Sequence, residues 1–158
     1  MIDPVRDALA EFQSALTQLV ILPTASGYGV DLVCIDDFTP NLDETDPTTL
    51  ASLAQDNYHR IITDRGTLPD DLDYGLGLFG YLSQGITDAD IVRLQGDTET
   101  ELKKDDRNAE ISATATLSTT VPVTLSLSVV CTPQNPNDVP FTLIIAVDSG
   151  GVFLKAIL

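Results

Sequence analysis

Apolar residues recur at helical spacing through the first part of the chain and at strand spacing through the last. Asp3 can cap and Pro4 can start a first helix, along which Val5, Ala8, Leu9, Phe12, Leu16 and Leu19 fall at three- and four-residue steps, predicting a helix over residues 4–20. Pro23, Ser26, Gly27 and Gly29 break it, and residues 30–35 then read as a short strand with Asp31 facing outward. After an acidic connection over 36–46, a second helix is predicted from near Asp46 and Pro47. It carries Leu50, Leu53, Ala54, Tyr58, Ile61 and Ile62 on one broad face, with Gly66 as its left-handed terminator. Pro69, Asp70, Asp71 and Asp73 make a turn, and a short helix is expected over residues 72–82. A further helix starts at Thr87, whose hydroxyl can cap while Asp90 stands at the third helical position. Ile91, Leu94 and Leu102 form its apolar stripe, weakened by Gly96.

The period then changes to two. Val121, Val123, Leu125, Leu127 and Val129 alternate with Pro122, Thr124, Ser126 and Ser128, as a strand with one buried face requires. Residues 111–118 read as its partner, 132–140 as a loop, and 141–147 and 152–157 as two more strands joined by an Asp-Ser-Gly-Gly turn. Helices first and a meander last predict an α+β fold, with N-terminal helices and one short strand followed by a C-terminal antiparallel β-sheet. A length of 158 residues suits a single domain, mainly helical over 1–107 and β-rich over 108–158.

Charge sharpens this division. The formal net charge is −16, yet from residue 108 onward the only charged side chains are Glu110, Asp138, Asp148 and Lys155. So bland a tail must be covered, either as the domain's own core sheet or by neighbouring subunits. The overall acidity repels phosphate backbones and no stretch clusters Lys and Arg, so no nucleic-acid partner is expected. Its bias towards Asp and away from Lys is the balance of proteins kept soluble in high salt. No apolar run is long enough to span a bilayer, so no membrane partner is expected either. The opening MIDPVRDALAEF lacks the order of a secretory signal, which places the chain in the cytoplasm. Cys34 and Cys131, both in apolar strand-like settings, are then expected as free thiols.

Little in the chain points to catalysis. Gly75, Gly77 and Gly80 match the G-x-G-x-x-G dinucleotide fingerprint by letter, but an acidic turn precedes them instead of an apolar strand; close packing explains them better, and no cofactor is expected. His59 is the only histidine, with no His-x-x-x-His, Cys-x-x-Cys or G-x-S-x-G pattern, so neither a metal site nor a hydrolase triad is expected. Carboxylates are plentiful, but a glycosidase also needs a raised carboxyl pKa in an aromatic-lined cleft; this chain has no Trp, and its acids sit mainly in turns and caps.

Residues 60–82, RIITDRGTLPDDLDYGLGLFGYL, join a helix end, an acidic turn and a Tyr-Gly-x-x-Leu lead into another helix. Thr63, Arg65, Gly66, Pro69, Asp71, Tyr74, Gly75, Leu78 and Leu82 resemble the signature of the sheath-initiator (baseplate wedge) family of contractile-tailed phages. That family is often labelled lysozyme-like and is also found in type VI secretion and related injection machines. Gly29, Val30, Asp31, Leu32 and Val33 fit the Gly-rich lead into an Asp-Leu strand that the family shows earlier. The resemblance implies a non-enzymatic structural protein of the virion tail baseplate, present in the host cytoplasm during assembly. Its implied partners are the tail sheath protein, the wedge proteins and the tube or hub proteins, with six copies per baseplate.

The family's Glu-Pro-Arg wedge motif corresponds here to Asp105, Asp106 and Arg107. The proline is absent, and Asp105 and Arg107 become the wedge-contact candidates. Read from the residues alone, the same stretch is equally an ordinary helix C-terminus with Lys103, Lys104 and Arg107 facing the helix dipole. The resemblance also implies that sheath arms add strands to the tail sheet, which makes Val121, Val123, Leu125, Leu127 and Val129 sheath-contact candidates on an uncharged edge. Their pattern suits a central strand of the domain's own sheet as well. The alternatives in other classes are a virion-associated acidic peptidoglycan glycosidase and a soluble adaptor.

Overall fold

Period-two patterning in the tail produces one antiparallel sheet. In the computed structural model, which describes residues 28–34, 41–46, 49–83, 85–120 and 122–158, the strands are β1 (Asn108–Ser118), β2 (Thr124–Pro133), β3 (Phe141–Asp148) and β4 (Gly151–Ile157). They lie in the order β1-β2-β3-β4, a meander. The register sets Leu127 between Ala115 and Ile145, and Val129 between Ala113 and Leu143, so the apolar side chains form rows on one face. Leu125, Leu127, Val129, Cys131, Leu143, Ile145 and Val147 are all fully buried there.

Three helices among the described residues cover that face: α1 (Ala51–Ile62), α2 (Leu78–Ser83) and α3 (Asp88–Leu102). Leu53, Tyr58 and Ile61 of α1, Leu78 of α2, and Leu94 and Leu102 of α3 complete a single core with the sheet. The fold is therefore α+β, as the change of period predicts. Thr87 caps α3 as expected: its hydroxyl accepts the Asp90 N–H at 3.3 Å, and the Asp90 carboxylate accepts the Thr87 N–H at 3.0 Å. The helix expected over 4–20, the 36–40 connection, Ile35 and Val121 lie outside the described residues.

Several boundaries differ from the expectations, each for a local reason. The 30–35 strand does not join the sheet; Leu32 bridges Glu44 instead, with the Val33 N–H donating to the Asp43 carbonyl and the Thr45 N–H to the Asp31 carbonyl, both at 2.7 Å. This small ladder keeps residues 43–46 extended, so α1 starts at Ala51 and not near Asp46. Gln55 of α1 fastens the ladder, accepting the Cys34 N–H at 2.8 Å and donating to the Leu32 carbonyl at 2.8 Å. At its other end α1 stops at Ile62, because Thr63 is extended (φ −73°, ψ 132°); Gly66, at φ +84°, serves the following turn and not the helix cap. The short helix begins at Leu78, not Leu72, since Gly75 and Gly77 hold the preceding chain at positive φ.

The largest correction concerns residues 121–130 as a sheet edge. β2 starts at Thr124 and pairs on both sides, so it is a central strand whose backbone groups are already bonded. A strand without charge on either face is what a central position requires.

Both cysteines are free thiols. Burial pushes the Cys131 thiol up to about 12, only partly offset by a hydrogen bond from the Asn57 amide, whereas Cys34 is half-buried on the ladder. Iodoacetamide at pH 8 is expected to alkylate Cys34 alone in the native chain, with Cys131 reacting only after denaturation; mass spectrometry of the labelled peptides reads the result.

Candidate functional site

Residues 60–82 converge on one buried carboxylate. Glu101 ends α3 at a position seven residues after Leu94, on the helix's inward stripe, and its side chain is 0% exposed. Four donors surround it. Arg60, from the last turn of α1, reaches Oε1 at 3.2 Å, and the Gly75 N–H reaches the same oxygen at 3.0 Å. Arg65 donates to Oε2 at 2.7 Å, and the Lys104 ammonium lies 2.8 Å from that oxygen. A carboxylate offers roughly four lone-pair positions, so the set saturates it.

The donors are themselves tied to the acidic turn. Lys104 donates to the Asp73 carbonyl at 2.6 Å and to its carboxylate at 2.8 Å, while Arg65 Nε donates to the Gly75 carbonyl at 3.2 Å. The Arg60 guanidinium stacks 4.3 Å above the Tyr74 ring. Two backbone bonds of 2.9 Å then lash the loop to the end of α1, from the Leu76 N–H to the Arg60 carbonyl and from the Gly77 N–H to the Thr63 carbonyl. This contact explains the glycines. A Cβ on Gly75 would collide with the Thr63 carbonyl, and one on Gly77 would stand 2.7 Å from Asp64 Oδ1. An acidic turn leads into them and not a strand; close chain packing accounts for Gly75 and Gly77, but not for Gly80, where a Cβ would meet open space.

Burial on its own would raise the Glu101 pKa, but Lys104, the Gly75 N–H and Arg60 hold it below its ordinary value of 4.5. The carboxylate therefore stays ionised and acts as a fastener, not as a proton donor.

A second fastener lies at the wedge-contact candidates. Arg107 grips Asp105 through Nε at 2.9 Å and Nη2 at 2.6 Å, reaches Asp56 of α1 at 2.7 Å, and donates to the Tyr28 carbonyl at 2.9 Å. Burial would raise the Asp105 carboxyl, but Arg107 outweighs it and holds it low; Asp105 in turn raises the Arg107 guanidinium further above its ordinary value. The pair thus clamps the α3–β1 turn to α1, with Asp105 10% and Arg107 25% exposed. Beneath it Asn57 and Asn108, both buried, exchange amide hydrogen bonds at 3.1 and 2.9 Å.

The sheath-contact candidates are not brought to an edge. Leu125, Leu127 and Val129 point into the core, Val123 precedes β2 and is exposed, and Val121 lies outside the described residues. The outer edges belong to β1 and β4. α3 packs against β1, where the Glu99 carboxylate accepts one outward backbone donor, the Ala113 N–H, at 3.1 Å. No strand among the described residues pairs with the outer side of β4, whose Phe153 and Ile157 are exposed and whose single charge is Lys155.

His59 is half-buried on α1, its ring 6.1 Å from that of Tyr58. A cleft of 440 Å³ opens beside the glycine loop, between Asp64, Arg65, Tyr81, Asp90 and Arg93. Asp90 there does not suit acid catalysis: the Thr87 hydroxyl and N–H hold it below the usual range, and Arg93 lies 3.3 Å from it. No family model, curated protein or solved structure matches the chain.

Sequence reasoning reaches the segment that carries the resemblance but misses Glu101. An available signal is an acid at apolar-stripe spacing, in a chain where three of only eight cations, Arg60, Arg65 and Lys104, meet it.

Glu101→Gln keeps the shape and removes the charge. It is expected to cost about 3 kcal/mol at pH 7, read from urea unfolding, because three cations lose their shared partner. The folded pKa lies below the unfolded one, so the wild-type advantage is fully present above about pH 5 and fades as the pH falls through the lowered folded value. The difference between the two proteins should shrink over that acid range.

Proposed function

We propose that this chain is a structural baseplate protein of a contractile tail, which docks on the wedge and templates the first sheath ring by strand addition. The observation that carries the reading is that the residues resembling the sheath-initiator family form one fastened block. Arg65, Tyr74 and Gly75 act together around Glu101, directly or through Arg60, and the sheet has an outer strand, β4, unpaired on its far side among the described residues. A rigid block joined to a strand that is unpaired among the described residues is what an adaptor between two assemblies needs.

Strand addition supplies affinity through backbone hydrogen bonds and specificity through alternating side chains. The edge that serves it is β4 and not residues 121–130, since β2 is central and Glu99 of α3 already takes an outward N–H of β1. Asp105 and Arg107 act at the wedge by holding the α3–β1 turn in shape, with the exposed part of the guanidinium left for contact. Tail sheath, wedge and tube or hub proteins are the partners, with six copies ringing the tube. Glycosidase chemistry finds less support. Each described carboxyl whose pKa shifts, at Asp73, Asp90, Glu101 and Asp105, moves down, whereas a general acid needs one raised.

Tagging the protein in its native host, purifying sedimenting particles and locating the tag by cryo-electron microscopy tests this directly. Density at the baseplate-proximal end of a contractile sheath is expected. A protein absent from every particle and left in the soluble fraction would refute the assignment.

A further inference from the structure

Beside the outer edge of β4, unpaired among the described residues, lies an apolar slot of 200 Å³, between Leu154 and Ile157 of the strand and Ala51 and Tyr58 of α1. Val33 of the small ladder closes its far side, and Glu44 and Asp46, both exposed, stand at its rim. Leu158 and Thr142 exchange both backbone bonds, at 2.8 and 3.0 Å, so Ile157, one residue earlier, turns its own N–H and C=O towards the free edge. A chain paired there would send alternate side chains to the helix-covered face of the sheet, where the slot opens.

We propose that this slot is the side-chain pocket that selects the added strand, and that its occupant is an extended segment of another protein carrying one large apolar residue flanked by lysine or arginine. This rests on the strand-addition reading above and deepens it. The volume suits a single branched aliphatic or aromatic side chain, and its apolar walls reject a polar one left without partners. The exposed Glu44 carboxylate at the rim, in a chain of net charge −16, favours cationic neighbours on the incoming strand and repels acidic ones. The opposite face of β4 works against indiscriminate pairing. Lys155 is an extra residue in the register with β3 and lies 5.1 Å over the Phe153 ring, so the edge carries both a bulge and a charge. Only a segment that gains from the slot offsets that obstruction.

Selection of a random ten-residue peptide library on the full chain tests the inference. Enriched peptides should share a large apolar residue with Lys or Arg within three positions. Ala51→Trp, which fills the slot from an exposed helix position, should weaken them about tenfold or more while unfolding at the wild-type urea midpoint. N-methylation of alternate amides in an enriched peptide should also abolish binding in one of the two registers. Peptides without the apolar and basic pattern, or with unchanged affinity for Ala51→Trp, overturn the slot. If such peptides still fail when N-methylated, strand addition stands without a selecting pocket; if N-methylation has no effect either, both readings fall.

Discussion

A carboxylate removed from water must be surrounded by donors or it destabilises the fold by several kcal/mol, and Glu101 meets that demand with two arginines, a lysine and a backbone N–H. Each donor comes from a different stretch of chain: the end of α1, the turn after it, the glycine loop and the second residue past α3. Satisfying one side chain therefore fixes the path of residues 60–82. The acidic turn, the stacked Tyr74 and the two positive-φ glycines follow from that path, because only it brings the loop against Thr63 and Asp64.

α1 carries this order to the sheet. One end holds Arg60 at the Glu101 cluster; its middle supplies Asp56 to Arg107 and Asn57 to Asn108, the first residue of β1. The buried Asn pair and the Arg107 clamp set where the helical half ends and the meander begins. Among the described residues β2 and β3 are central, Glu99 of α3 takes the Ala113 N–H of β1, and no strand pairs with the outer side of β4. The described residues thus combine a fastened block with an outer strand, β4, the two features on which the proposed adaptor role rests.

The sequence made the local patterns legible. Alternation at Leu125, Leu127 and Val129, the Thr87 capping box and the Asp-Ser-Gly-Gly turn each depend on neighbours a few residues away, and the structure shows all three. What it concealed depends on partners far along the chain. Glu101 is an ordinary helical acid until Arg60 and Arg65, 41 and 36 residues earlier, fold onto it. The start of α1 moves because residues 43–46 pair with residues 31–33, and α2 shortens because Gly75 serves Glu101. Whether an uncharged strand is central or at an edge is likewise a question of sheet order, which period alone does not encode. Asp105 and Arg107 stood out only through the resemblance; their pairing with each other, and the hold of Arg107 on Asp56 and Tyr28, were not legible.

Native-state hydrogen exchange resolved to single amides tests the central claim, that a buried carboxylate gives a loop the order of the core. If Glu101 fastens residues 60–82, the Gly75, Leu76 and Gly77 amides, which donate to Glu101, Arg60 and Thr63, exchange as slowly as the amides around Leu94 in α3. Exchange at the rate of the exposed turn at residues 68–72 would contradict the account.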